Sequence, residues 1–257
     1  MAEKTYPWKV VWITGASGAI CGEIARRLAS AGVQVAATAR PSDRLDKLAA
    51  SSDRITAFPA DVLKPDEVKA CVAKVEAALG PIDLVLLGAG MYAPFDIRKI
   101  DLDGFHQTMA LNVDGVINGV AAALPQMLAR HEGHLAIMGS LFGYAGWPGN
   151  GSYGASKAAV INLAESLKLE LKGSGVDVTL ISPGFVDTPL NASYDPKKKL
   201  FVMKTERCAR KILEKLPKRP YEIAFPPQVE GFLKTVRDLP RALSFPLVRW
   251  FIKAMGA

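Results

Sequence analysis

The chain has 257 residues, of which 49% are hydrophobic and 22% charged, and this average globular composition excludes a mainly disordered protein. Its 3 cysteines and 3 histidines show no metal-ligand or disulfide spacing, so no metal and no disulfide framework is expected. The net charge of +7 is uneven: residues 190–257 carry 15 Lys and Arg against 6 Asp and Glu, whereas the rest carries 17 against 19, which argues against nucleic acid as a partner.

Short apolar runs alternate with segments of helical periodicity along most of the chain. Strands are predicted at 10–13, 33–38, 55–59, 82–87, 134–138 and 176–181, and helices at 20–31, 45–50, 65–79, 103–129 (with a break near Pro125) and 153–171. Continuous apolar strands separated by helices are typical of a parallel sheet covered on both faces. The pattern therefore predicts an α/β fold with a doubly wound, Rossmann-like sheet of at least six strands.

No linker or repeat is visible before residue 190, so residues 1–257 are predicted to form a single dinucleotide-binding and catalytic domain. Residues 190–257 are interpreted as a substrate loop and a helical, basic C-terminal extension, with a solvated loop at 195–199, a helix over 205–216 and a strand at 221–225. Segment 243–255 mixes aromatic and basic residues. A helix packed on the core or on a partner subunit is favoured there over an interfacial helix on anionic lipid.

The N-terminus lacks the pattern of a secretory signal, and no apolar run is long enough for a transmembrane helix. We therefore expect a cytoplasmic protein.

A glycine-containing turn lies between the first strand and the first helix. In Thr14-Gly15-Ala16-Ser17-Gly18, backbone N–H groups at the start of a helix are suited to binding a pyrophosphate, although a simple tight turn is the alternative. At the end of the second strand, Ala39 stands where dinucleotide folds often place an acidic residue. Arg40 follows and offers donors for a 2′-phosphate, which favours NADP(H), unless it is an ordinary surface arginine.

Four further positions carry side chains of catalytic type. Tyr153 and Lys157 are four residues apart on a predicted helix, so they share a face, and a nearby cation lowers the pKa of a phenol. Ser140 follows the predicted strand at 134–138, and parallel sheets bind ligands at such strand ends. The alternative is that Ser140 is an ordinary turn residue. Asn112 lies within a predicted helix and either satisfies backbone groups or breaks that helix.

Taken together and in this order, the motifs resemble the short-chain dehydrogenase/reductase family, in its short single-domain branch, over about residues 8–190. The matching positions are Thr14-Gly15, Asp61-Val62, Ala89-Gly90, Asn112-Val-Asp-Gly115, Ser140, Tyr153-x-x-x-Lys157 and Pro183-Gly184-Phe-Val-Asp-Thr188.

The resemblance implies a set of roles. Tyr153 is the general acid or base, Lys157 lowers its pKa and holds the nicotinamide ribose, Ser140 binds the substrate oxygen, and Asn112 positions a water in a proton relay. Asp61 and Val62 contact the adenine, and Thr188 the nicotinamide amide. The full cofactor-binding set is Gly15, Ser17, Gly18, Ile20, Arg40, Asp61, Val62, Ala89, Gly90, Asn112, Tyr153, Lys157, Pro183, Gly184, Val186 and Thr188. A homodimer or homotetramer is expected by the same analogy.

The sequence departs from the family pattern in two places. The turn Thr-Gly-x-x-x-Gly-x-Gly has Ala19 and Cys21 at its second and third glycines, and Gly15 with Gly18 instead resembles the longer epimerase-like branch. The segment Asn-Asn-Ala-Gly is replaced by Leu87-Gly88-Ala89-Gly90.

The sequence thus predicts an NADP(H)-dependent oxidoreductase that transfers a hydride between nicotinamide and a ketone or alcohol. The substrate is expected to contact Met91-Tyr92, the stretch 141–150 and the loop after Pro189, including Phe142, Tyr144, Trp147 and Leu190, which indicates an apolar pocket. Two alternatives stay open. One is a peripheral membrane reductase of a long-chain keto-lipid, and the other is a catalytically silent NADP(H)-binding sensor.

Overall fold

The structure is a computed structural model that describes residues 5–191 and 201–254. The main strands are β1 (Val10–Thr14), β2 (Gln34–Thr38), β3 (Ile55–Ala57), β4 (Leu84–Leu87), β5 (Gly133–Met138) and β6 (Val176–Pro183), followed by a short parallel pair, β7 (Val186–Asp187) with β8 (Met203–Lys204), and by β9 (Glu222–Phe225). Seven of them form one sheet in the order β3-β2-β1-β4-β5-β6-β9, in which every pairing is parallel. The predicted doubly wound parallel sheet is confirmed.

Helices cover both faces of this sheet. They are α1 (Ala19–Ser30), α2 (Asp43–Ala49), α3 (Pro65–Leu79), α4 (Leu102–Met109), α5 (Gly115–Ala129), α6 (Gly151–Glu170), α7 (Thr205–Lys215), α8 (Pro227–Asp238) and α9 (Arg241–Ala254). Strand β1 shows why the apolar runs are continuous: Val11 and Ile13 belong to the core beneath α1 and α7, whereas Val10 and Trp12 belong to the core beneath α3, α5 and α6. Alternate side chains point to opposite faces, and both faces are dry.

The predicted helix over 103–129 is interrupted elsewhere than expected. A π-helical turn, Ala110–Asp114, separates α4 from α5, while Pro125 lies inside α5. The predicted break near Pro125 is therefore wrong. The interruption coincides with Asn112, whose side chain bonds outside its own helix, and an extra residue in a helical turn commonly reorients such a side chain.

Much of the segment interpreted as a C-terminal extension belongs to the core. Ile212 and Leu213 of α7 and Ile223 of β9 are buried in the same cluster as Ile13, and β9 pairs with β6. Helix α8 was not predicted, and the predicted loop at 195–199 lies outside the described residues. In the part of the chain that the structure describes, no helix is both long and apolar enough to cross a membrane.

The strand order places one crevice at the centre of the sheet. The chain runs from β1 outward to β2 and β3, then returns so that β4 pairs with the other side of β1. Ligands of open α/β sheets bind at such a reversal, beyond the carboxyl ends of the strands. Gly15 follows β1 and Gly88 follows β4, so both lie at this point.

Candidate active site

The turn after β1 brings two backbone segments into close approach. Gly15 has φ +68°, and a Cβ atom there would lie 2.7 Å from backbone atoms of Gly88 and Ala89. Only glycine combines this conformation with this contact. Gly18 precedes α1, which begins without a side-chain cap. Its first N–H groups therefore stand free of side-chain acceptors, an arrangement suited to phosphate oxygens.

The two departures from the family pattern meet in space. The Sγ atom of Cys21 lies 2.2 Å from the position that a Cβ atom on Gly88 would occupy. A thiol at position 21 thus fits because position 88 carries no side chain, and the two unusual residues fill one volume between them. The turn is a repacked version of the family turn, with its close backbone approach kept.

A cleft of about 260 Å³ opens at this edge of the sheet. Eleven of the residues predicted from the sequence line it: Gly15, Gly18, Ile20, Gly90, Ser140, Tyr153, Lys157, Pro183, Gly184, Val186 and Thr188. Residues from the first turn, from the end of β5 and from α6 therefore face one space, although they are far apart in the sequence.

Three catalytic candidates meet in this cleft. On α6, Lys157 is buried, donates a hydrogen bond from Nζ to the Met138 carbonyl oxygen at 2.7 Å, and holds Nζ 5.8 Å from the centroid of the Tyr153 ring. Ser140 is buried at the end of β5, where its Oγ accepts a hydrogen bond from the Phe142 N–H at 3.3 Å. The partly buried phenol, the ammonium and the hydroxyl thus form one polar group at the floor of the cleft.

The ionisation of this group is governed by burial. Burial raises the pKa of Tyr153 above its ordinary value, and a hydrogen bond from the Ser140 side chain opposes the rise. The predicted lowering of the Tyr153 pKa by Lys157 stays a prediction, since it concerns the charge of a neighbouring cation and not the loss of hydration. Burial also lowers the pKa of Lys157 to about 8, against an opposing effect of the nearby Cys21 thiol. A phenol that stays protonated is suited to donating a proton.

Asn112 supports the cleft from behind. Its Oδ1 accepts a hydrogen bond from the Met91 N–H at 2.8 Å, and its Nδ2 donates to the Met91 carbonyl oxygen at 3.0 Å and to the Ser156 hydroxyl at 2.9 Å. Ser156 Oγ donates in turn to the carbonyl oxygen of Tyr153 at 2.8 Å. The amide therefore joins the loop after β4 to the helix that carries the phenol.

Some predicted cofactor residues lie outside the lining of the cleft. They are Ser17, Arg40, Asp61, Val62, Ala89 and Asn112. Arg40 is exposed at the end of β2, and Asp61 uses its carboxylate in its own turn, accepting from the Leu63 N–H at 3.0 Å. Ala89 takes part in the close approach to Gly15.

A second, basic pocket adjoins the glycine turn. It has a volume of about 240 Å³ and contains the predicted Ser17, together with Arg26, Arg44 and Lys47, which sequence reasoning missed. Arg44 also lines the main cleft. The available signal was Ser42, which caps α2 by accepting a hydrogen bond from the Leu45 N–H. Once α2 begins at Asp43, Arg44 and Lys47 are three residues apart and share a helix face toward the turn.

The other half of the cleft is largely apolar. Of the expected substrate contacts, Met91, Tyr92, Phe142 and Leu190 line it, and Phe185 was missed. Trp147 instead lines a neighbouring apolar cavity. Tyr144 does not line the cleft. Its hydroxyl instead donates a hydrogen bond to the Glu222 carboxylate, and Lys234 lies over its ring. Among the described residues, no three His, Cys, Asp or Glu side chains gather as metal ligands.

Comparison with known proteins agrees with this geometry. The family model for short chain dehydrogenases matches residues 9–199. An uncharacterized oxidoreductase of Myxococcus xanthus is 32% identical over 247 residues, which cover 95% of this chain and 96% of that protein. An uncharacterized oxidoreductase of Staphylococcus aureus is 34% identical over 196 residues, 75% of this chain and 85% of that protein.

Solved structures with the same architecture include a short-chain dehydrogenase from Streptomyces avermitilis, with a TM-score of 0.79 and 27% identity over 97% of this chain and 98% of that one. Actinorhodin polyketide ketoreductase with NADPH has a TM-score of 0.79 at 22% identity, over 87% and 98% of the two chains, and shares the fold. The chain belongs to the short-chain dehydrogenase family, whose members are oxidoreductases that use nicotinamide cofactors and act on small carbonyl or alcohol compounds.

Proposed function

We propose that this protein is an NADP(H)-dependent reductase of apolar ketones, with Tyr153 as the proton donor. The observation that carries the proposal is the convergence of Ser140, Tyr153 and Lys157 in a cleft that also contains the glycine turn. A catalytically silent sensor would not need a protonated phenol beside a buried serine hydroxyl and a buried lysine. The convergence therefore favours an enzyme.

The residues of the cleft fit a dinucleotide. Gly15 and Gly18 have no side chains, so they leave space beside the turn for the cofactor. The uncapped start of α1 supplies N–H donors for a pyrophosphate. Arg44, Lys47 and Ser17 are suited to a 2′-phosphate, and Arg40 remains a second candidate for that role. Thr188 and Val186 line the same cleft beyond β6. When bound there, the cofactor supplies the hydride.

The chain itself handles the proton. Ser140 donates a hydrogen bond to the substrate oxygen and orients it toward the phenol, and Tyr153 transfers its proton to that oxygen as negative charge develops. The ammonium group of Lys157, fixed by the Met138 carbonyl, then stabilises the phenolate that remains. Asn112 and Ser156 hold α6 in register with the loop after β4. The same groups run in reverse when an alcohol is oxidised.

The lining indicates the class of substrate. Phe142 and Phe185 pack at a tilt with ring centroids 4.8 Å apart, and Tyr92 and Tyr153 meet edge to face at 5.6 Å. Burial of a hydrocarbon group against these aromatic walls is more favourable in free energy than burial of a charged group. The test is to assay a panel of apolar and polar ketones and to measure turnover of each from the decrease in NADPH absorbance. Turnover confined to the polar members contradicts the substrate class, and NADPH binding without turnover of any member supports the sensor.

Arg44→Ala is expected to weaken NADPH binding about tenfold to a hundredfold, because a hydrogen bond to a charged group contributes about 1.5–3 kcal/mol. NADH lacks the 2′-phosphate, so its affinity should hardly change. The measurement is the Kd of both cofactors by fluorescence titration, with Arg40→Ala compared alongside. Arg98→Ala, at an exposed side chain remote from the turn, is the matched control. An equal loss for NADPH and NADH would mean that Arg44 does not recognise the phosphate.

The reduction rate is expected to fall as the pH rises above about 8. Burial lowers the pKa of Lys157 to about 8, so its ammonium is charged below that pH and loses its charge above it. Since kcat/KM for NADPH reports the free enzyme, it should drop about tenfold per pH unit on the alkaline side. In Lys157→Arg the guanidinium stays charged, so the profile of that weaker enzyme should remain flat through the same range. Identical profiles for both proteins would rule out Lys157 as the titrating group.

A further inference from the structure

The last helix, α9, carries a surface that the proposed reaction does not use. One side of it packs on the protein through the buried Ser244 and Val248, so the helix is anchored along its length. On the remaining surface, Leu243, Phe245 and Trp250 are 59%, 62% and 66% exposed. We propose that this surface, the α9 face, docks the protein on an anionic phospholipid membrane.

The geometry of the α9 face suits a bilayer surface. Leu243 and Trp250 are two helical turns apart and lie along one edge of the exposed side of α9, whereas Phe245 lies along the other edge. Large apolar side chains of this kind insert at the boundary of headgroups and acyl chains, and tryptophan favours that boundary. The helix is held by its opposite side, so it would lie in the plane of the interface.

The charges of α9 indicate which class of lipid it would bind. Its charged side chains are Arg241, Arg249 and Lys253, all exposed and all basic. In the described part of the chain, no carboxylate lies within ion-pair distance of them. The nearest carboxylate along the chain is Asp238, which ends α8. A surface that mixes apolar and basic side chains without acids is complementary to phosphatidylglycerol or a similar lipid.

Carboxylates on the neighbouring elements do not cancel this charge. Glu222 and Glu230 both pair with Lys234, at 2.5 and 2.8 Å, and Glu165 pairs with Arg237 at 3.5 Å. Lys234 and Arg237 of α8 are thus the ion-pair partners of these three acids. None of the three pairs with Arg241, Arg249 or Lys253, so the cations of α9 face solvent without an ion-pair partner among the described residues.

A second copy of the chain fits the α9 face less well than lipid does. In a two-fold symmetric dimer this surface would meet itself, and Arg249 and Lys253 would face the same cations of the partner. Like charges brought together in an interface are destabilising. Anionic lipid satisfies the same side chains and covers the apolar ones.

The same helix is linked to the catalytic cleft by packed rings. Phe251 of α9 stacks on Phe232 with centroids 4.1 Å apart and lies 6.2 Å from Trp147. These rings line an apolar cavity of about 150 Å³, and Phe142 is shared between that cavity and the cleft. Docking through α9 would thus place an apolar cavity that adjoins the catalytic cleft close to the membrane.

The test is co-sedimentation of the full chain with vesicles of phosphatidylcholine containing about one-third phosphatidylglycerol, and with phosphatidylcholine alone. We expect binding to the anionic vesicles, little binding to the neutral ones, and release at high salt. Arg249→Gln with Lys253→Gln should weaken binding roughly thirtyfold, from about fivefold per basic residue. Leu243→Gln with Trp250→Gln should weaken it about tenfold or more.

The matched control is Ile97→Gln with Leu169→Gln, since these side chains are 77% and 76% exposed elsewhere on the surface. This control should bind vesicles like the unchanged protein. Vesicles should also shift the tryptophan emission to the blue, and the shift should be lost in Trp250→Gln alone. The proposal is overturned if anionic vesicles are not bound, if the control weakens binding as much as the α9 variants, or if the α9 variants instead dissociate an oligomer. None of these readouts requires turnover, so they stand apart from the proposed reductase activity.

Discussion

Tyr153→Phe is expected to reduce the turnover of carbonyl reduction by about 10²–10⁴-fold, the usual contribution of a positioned general acid. The substitution removes one oxygen from a partly buried ring and leaves its contact with Tyr92 in place. Loss of rate should therefore come from loss of the proton donor. The measurement is kcat under saturating NADPH with a ketone from the substrate panel.

Two controls accompany this variant. Its NADPH affinity and its free energy of unfolding should stay close to those of the unchanged protein, because the phenol oxygen leaves little volume behind. Tyr92→Phe removes a hydroxyl that donates to the Gly149 carbonyl at the rim of the same cleft, and it should keep most of the activity. If Tyr153→Phe turned over at the full rate, another group would have to be the acid.

Gly88→Ala is expected to lower the free energy of unfolding by about 1–3 kcal/mol, the typical cost of overpacking a core. The added methyl would lie 2.2 Å from Cys21 Sγ and 3.2 Å from the Thr14 carbonyl oxygen, so the thiol would have to move. Cys21 also lines the cleft, and NADPH affinity should fall with it. Urea unfolding followed by circular dichroism measures the first effect, and fluorescence titration the second.

The thiol can be identified as the cause by a double-mutant cycle. In a Cys21→Gly background, Gly88→Ala should cost less, with a coupling energy of about 0.5–3 kcal/mol between the two positions. Gly146→Ala is the matched control, since an added Cβ there meets no atom within 4 Å, and its effect should stay within about 0.5 kcal/mol. Additive effects of the two substitutions would show that positions 21 and 88 do not share a volume.

Much of the fold was predictable because its signals are local. A strand buried on both faces must be apolar along its length, and β1, β4, β5 and β6 are all found where such runs occur. Tyr153 and Lys157 share a helix face by their spacing alone, and Ser140 follows a strand that was recognised. These inferences require only the periods of a helix and of a strand.

Other features depend on contacts between distant segments. The break in the long helix lies at Asn112 because that amide bonds to Met91 and Ser156, whereas Pro125 was the stronger local signal. The pKa of Tyr153 is raised because the surrounding residues exclude water from its side chain. The spacing of residues along the chain does not show how far water is excluded. Likewise Arg44 becomes a cofactor candidate only when α2 is placed beside the glycine turn.

The sequence by itself therefore determined the alternation of strands and helices as far as β6, apart from the interruption at Asn112, together with the glycine turn and the identity of the catalytic candidates. These follow from chain-local periodicity and residue chemistry. Only the tertiary structure decided that Cys21 and Gly88 compensate each other, that a cation cluster adjoins the turn, and that α9 keeps Trp250 in water. The physical reason is that packing, hydration and electric field depend on which residues meet in space, and residues remote along the chain supply most of those neighbours.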